Sequence, residues 1–82
     1  MKSEDEYLTE LKEIGFTTEL LNAKPTSGRW STHRVISGLI IGELKLSEEL
    51  GEAHLYLDDY FSFMKEESQL KKSLESIGIQ IH

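Results

Sequence analysis

Gly42-Glu43-Leu44-Lys45-Leu46-Ser47-Glu48-Glu49-Leu50-Gly51-Glu52-Ala53-His54-Leu55-Tyr56-Leu57 is the stretch that decides the fold. Leu44 and Leu46 alternate with Glu43, Lys45 and Ser47. Beyond Glu48–Gly51, Ala53, Leu55 and Leu57 alternate with Glu52, His54 and Tyr56. A period of two places one side-chain set on each face of a strand. Two such runs around a charged, glycine-closed turn read as a β-hairpin with one wet face.

Upstream, His33 to Ile41 is rich in β-branched residues and apolar at both parities, the pattern of a central strand covered on both sides. Gly42 would then permit a bend or bulge. Residues 22–28 (NAKPTSG) read as a loop, because Pro25 holds Lys24 extended and Gly28 interrupts regular structure.

The two ends of the chain share one grammar. Ser3 followed by Glu6 forms a capping box for a helix from Glu4 to Ile14, with Tyr7, Leu8, Leu11 and Ile14 on one face. Gly15 stops the helix and an extended piece follows from Phe16 to Leu20. Shifted by 63 residues, Leu70, Leu74, Ile77, Gly78 and Ile79 fall on Tyr7, Leu11, Ile14, Gly15 and Phe16. The C-terminal segment therefore reads as a helix, a glycine stop and an extended Ile79–Ile81.

Between Asp58 and Met64 two readings compete. Phe61 and Phe63 continue the odd-numbered apolar face of a strand. A single helix from an Asp58 cap to Ile77 would instead put Glu67 in the stripe of Phe63, Leu70, Leu74 and Ile77, and burying a lone carboxylate is costly. The strand is favoured, with the last helix starting near Glu66 or Glu67. The expected fold is α+β. Residues 1–82 form a single acidic domain, with about three to five short antiparallel strands in the middle and a helix from each end packed on the sheet.

Composition narrows the function classes. The formal net charge is −6, and 38% of the residues are apolar, enough for one core. Lys24 to Ile41 contains Lys24, Arg29 and Arg34 and no acid. Glu4 to Glu19 holds six acids against Lys12, and Glu43 to Glu67 holds eight acids against Lys45 and Lys65. This field argues against direct contact with a phosphate backbone and with an anionic membrane. It favours a basic protein surface or plain solubility. The chain has no cysteine, which excludes disulfides and thiolate metal sites and points to a reducing cytoplasm. Met1 to Glu6 lacks the basic and apolar regions of a signal peptide, and the longest apolar run is too short to span a bilayer.

No catalytic pattern stands out. His33 and His54, with Glu52 or Asp58, would supply zinc ligands if their strands were neighbours, but no His-x-x-x-His spacing is present and His54 alternates with leucines. Asp58 and Asp59 are adjacent, so in a strand they point to opposite faces and do not form a catalytic dyad. Ser31, Thr32 and His33 are consecutive, but a working Ser–His pair is defined by geometry with a third orienting group, and there is no nucleophile elbow or phosphate loop. No cofactor is expected. Arg29, Trp30 and Arg34 gather the only tryptophan and both arginines in one stretch. These residue types carry binding hot spots, although Trp30 can also close one end of the core while the arginines pair with acids on the helices.

The reading that follows is a non-enzymatic binding protein. Glu48, Glu49, Glu52, Asp58, Asp59, Glu66 and Glu67 would face a basic partner, with Arg29, Trp30 and Arg34 adding a local contact. A narrower form is an inhibitor that mimics nucleic acid, a device suited to a phage or mobile element. The alternative is an assembly module, a homodimer formed through exposed strand edges and the aromatics Tyr56, Tyr60, Phe61 and Phe63.

Overall fold

A computed structural model describes residues 2–22 and 30–82. The 22–28 loop reading, apart from Asn22, and the Arg29 contact lie outside the described residues. The chain forms α1 (Glu4–Glu13), β1 (Thr17–Asn22), β2 (Ser31–Ser37), β3 (Ile40–Ser47), β4 (Glu52–Leu57), α2 (Tyr60–Glu66), α3 (Ser68–Ser76) and β5 (Gln80–Ile81). The strands form one sheet in the order β1-β2-β3-β4-β5. The first four strands pair antiparallel and β5 joins β4 in parallel. A parallel return needs a crossover, and α2 with α3 supplies it. The expected small α+β domain with terminal helices is what the chain adopts.

The hairpin that decides the fold is present in full. Leu44 pairs with Leu55 and Leu46 with Ala53 across β3 and β4. Glu48–Gly51 closes it, with Gly51 at φ +67 and the Leu50 N–H donating to Ser47 Oγ at 3.2 Å. Val35, Leu44, Leu46, Ala53 and Leu55 form the inner face of the sheet, and Tyr7, Leu11, Phe63 and Leu74 of the helices pack onto it.

The repeat at offset 63 is structural. Phe16 N–H donates to Leu11 O at 2.9 Å and Gly15 N–H to Lys12 O at 3.1 Å. Ile79 N–H donates to Leu74 O at 3.1 Å and Gly78 N–H to Glu75 O at 3.0 Å. Both pairs are Schellman closures, and both glycines are left-handed, at φ +106 and +92. Each closure turns its next residue, Phe16 or Ile79, into the core.

Three local expectations are corrected. His33 to Ile41 is not one doubly covered strand. It is cut by a two-residue turn, Gly38-Leu39, that joins β2 to β3 with Ser37 opposite Ile40. Gly38 alone has positive φ (+62), as the first central position of a type II′ turn requires. Ile36 and Leu39 are apolar yet exposed, Leu39 at 99%, which is why the run looked covered on both faces. Gly42 makes no bend or bulge. It keeps regular register with Val35 and Leu57, and a Cβ there would sit 2.8 Å from Tyr56 O.

The third correction concerns Asp58 to Met64, where Asp58 and Asp59 form a turn and Tyr60 to Met64 is helix rather than strand. Asp59, not Asp58, caps α2, its carboxylate accepting from Ser62 N–H at 3.2 Å. The last helix begins where it was expected, at Ser68 with Glu67 as its N-cap residue, and no single helix runs to Ile77. A break at Glu67 (φ −114, ψ 46) separates α2 from α3 and leaves the Glu67 side chain exposed. The cost of burying that carboxylate is avoided by a kink, not by a strand. Phe63 enters the core while Phe61 is 83% exposed.

Candidate functional site

The acids singled out from sequence fall into two groups at opposite ends of β4. Glu52 and Asp58 are six residues apart along an extended chain, a span of ~20 Å. At the near end, Glu48 is already engaged. Its Oε1 accepts from the Glu4 N–H at 2.6 Å, closing the N-terminus of α1. Glu49 is exposed on the turn, and Glu52 accepts from His54 Nε2 at 2.8 Å.

At the far end Asp58, Asp59, Glu66 and Glu67 all line one cavity of about 350 Å³, together with apolar Ile41, Leu57 and Phe63. The α2 helix brings this about. The turn and cap before it supply Asp58 and Asp59, and its last turn and the break after it supply Glu66 and Glu67. The exposed Leu39, at the β2–β3 turn, stands at the rim. Four carboxylates around an apolar floor can take a cationic head and its aliphatic stem together.

The β1–β4 face turned away from the helices is open. Arg34 lies there, across from Glu43, with its guanidinium 4.0 Å from the carboxylate. It therefore pairs with a strand acid, not with a helix. Trp30 does not close the core. It is half-buried on the outer side, with its ring edge-on to His54 at 5.6 Å. Lys45 points to Thr32 Oγ1 at 3.1 Å and shares a cavity with Trp30, His54 and Tyr56. The suggested aromatic cluster is dispersed. Phe63 is core, Tyr60 and Phe61 pack edge to face at 5.8 Å, and Tyr56 stacks on His82 at 4.8 Å.

His33 and His54 do not meet. His33 is opposite Leu44 on the inner face, and His54 is opposite Lys45 on the outer one. Among the described residues no three His, Asp or Glu side chains gather as a metal-ligating group. Instead His33 is buried against the first turn of α1, its Nε2 2.7 Å from Glu4 Oε1, and the same oxygen accepts from Ser31 Oγ. Burial alone would raise the Glu4 pKa. The hydrogen bonds from His33 and then Ser31, with the attraction of the His33 charge, outweigh it and hold the carboxyl below its usual value. Alternation with Val35 signals that Ser31 and His33 face inward. Nothing in the sequence pairs them with Glu4, because that contact spans 29 residues.

Also unforeseen is a chain on the outer face. Glu52 Oε1 lies 2.8 Å from His54 Nε2, and His54 Nδ1 lies 2.9 Å from His82 Nε2. Among the described residues no helix is long and apolar enough to cross a membrane. No known protein family, curated protein or solved structure matches this chain.

Proposed function

We propose that this chain is a non-enzymatic binding protein whose acidic cavity docks on a basic protein surface. The convergence of Asp58, Asp59, Glu66 and Glu67 on one apolar-floored cavity supports this reading. An arginine or lysine of the partner would lay its stem along Leu57 and Phe63 and its charge among the carboxylates. Leu39, strongly exposed and lining the cavity, would add apolar contact beside it. The fit is to single cationic side chains presented by a partner in a reducing cytoplasm, where a cysteine-free chain loses nothing. Nucleic-acid mimicry is the narrower form, and the docking end is then the cavity end rather than one continuous strip. The partner would be a protein inhibited or regulated by occlusion of its basic groove.

Two variants are compared in an affinity capture from source or host lysate. The first carries Asp58→Asn, Asp59→Asn, Glu66→Gln and Glu67→Gln, and Asn keeps the α2 cap. The second carries Glu49→Gln and Glu52→Gln at the opposite end. Wild type and the second variant should retain the same basic protein, and the first should bind it at least tenfold more weakly, about 1.4 kcal/mol. Equal retention by both variants would refute docking through the cavity.

One observation favours a second reading, a homodimer. β1 is an edge strand with all six residues exposed, and Leu20 and Leu21 are 56% and 42% accessible. An edge this bare can pair with its own copy. Light scattering across a concentration series should show the mass doubling, and a constant monomer mass would remove this reading.

A further inference from the structure

The outer end of β4 carries two imidazoles held as metal ligands are held. His54 sits within β4, and His82 directly follows β5. The His82 backbone is fixed on both sides, its N–H donating to Leu55 O at 2.7 Å and its carbonyl accepting from Leu57 N–H at 3.0 Å. Its ring lies flat on Tyr56, with centroids 4.8 Å apart and planes 16° apart. The His54 ring is held by the Trp30 edge at 5.6 Å. The two rings are thus set by strand pairing and stacking before any ligand arrives.

The carboxylate of Glu52 fixes the His54 tautomer. A carboxylate only accepts, so His54 Nε2 carries the hydrogen and Nδ1 presents its lone pair toward His82 Nε2, 2.9 Å away. A carboxylate on the far nitrogen of a histidine is the usual orienting partner of a metal-bound imidazole. We propose that His54 Nδ1 and His82 Nε2 form a two-histidine site for a divalent transition metal of the zinc, nickel or copper class, oriented by Glu52.

With His54 Nδ1 accepting, His82 Nε2 donates the hydrogen of the ion-free pair, so ligation moves that hydrogen to His82 Nδ1 and turns both lone pairs from each other to the ion. Two imidazole nitrogens on one tetrahedral zinc lie ~3.3 Å apart, so the pair opens by about 0.4 Å from 2.9 Å. Imidazole nitrogen suits zinc, nickel and copper, and does not suit magnesium. The nearby ammonium of Lys45 is turned to Thr32 Oγ1 at 3.1 Å. Two protein nitrogens leave the remaining positions to water, so the site is exchangeable and open to a further donor. It shares no residue with the acidic cavity, and its test is independent of that reading.

Isothermal titration of untagged protein with zinc chloride and nickel chloride, with magnesium chloride as control, reads the site directly. Imidazole proton NMR identifies the rings. The expected result is one zinc per chain, shifts confined to His54 and His82, and no response to magnesium. His54→Ala and His82→Phe should abolish binding. The second keeps a ring stacked on Tyr56 and removes the ligand, so it separates ligation from folding, which circular dichroism confirms. Glu52→Gln should weaken zinc about 10- to 100-fold. Absence of binding at millimolar zinc, or wild-type affinity in His82→Phe, would overturn the proposal.

Discussion

Replacing Glu4 by alanine tests how the N-terminal helix is attached to the sheet. One carboxylate oxygen of Glu4 serves two buried groups on β2, His33 Nε2 at 2.7 Å and Ser31 Oγ. The His33 and Ser31 residues are only 4% and 5% exposed, while the Glu4 side chain is 34% exposed. Truncation leaves two inward-facing polar groups without their partner, and an orphaned buried polar group costs about 1–3 kcal/mol. It also removes one negative charge from the helix N-terminus, about 0.3–1 kcal/mol at an exposed site. Water can reach the vacated position through the opening that Glu4 itself occupied, which places the loss at the low end, about 2–3 kcal/mol. For a domain of this size that lowers the melting temperature by roughly 10–20 °C.

Urea denaturation followed by circular dichroism gives the free energy, and a pH series gives the mechanism. The Glu4 carboxyl is depressed in the folded state, so its contribution is complete above the unfolded glutamate value near pH ~4.3 and is lost as pH falls through the lower folded value. Glu4→Gln keeps an acceptor but no charge, so it should flatten this part of the acid limb. A Glu4→Ala protein within 0.5 kcal/mol of wild type, or a Glu4→Gln protein with an unchanged acid limb, would refute the reasoning.

Two further outcomes follow from the packing. Gly42→Ala should cost about 1–3 kcal/mol, because its Cβ would meet the backbone oxygen of Tyr56 at 2.8 Å inside a regular ladder, and a wild-type denaturation midpoint would contradict that contact. The two neighbouring phenylalanines should differ sharply in thermal or urea unfolding. Phe63→Ala, 4% exposed, should lose about 3–5 kcal/mol, and Phe61→Ser, 83% exposed, should change stability by less than about 0.5 kcal/mol; equal losses would restore the strand reading of this segment.

Much of the architecture was legible because it is local. The capping box at Ser3 and Glu6, the glycine stops at 15 and 78 and the alternation across Gly42–Leu57 are patterns of adjacent residues, and each formed as read. Two of the failures share one cause. The apolar run to Ile41 and the pair Phe61 and Phe63 were weighed as though every large apolar side chain were buried. Leu39 and Phe61 are instead almost wholly exposed. The Glu67 argument was sound in its cost, and it missed a kink as the cheapest way to avoid that cost.

The site was less legible than the fold. Charge density drew attention to the right acids, but it could not show that Glu48 closes α1 while Asp58, Asp59, Glu66 and Glu67 share a cavity. Of the two readings of Trp30, a local contact or a cap on one end of the core, the second fails, because the ring lies against His54 on the outer side.

By itself the sequence determined the parts: two helices with glycine stops, a hairpin of fixed register, one acidic domain without thiol chemistry. Periodicity, caps and turns act over a few residues, and the sequence displays them directly. The tertiary structure alone decided the meetings, Glu4 with His33, His54 with His82, and four carboxylates around one cavity. These contacts join residues brought together by the parallel return of β5 and the packing of α1 and α2, and no local preference encodes a distance that only chain closure creates.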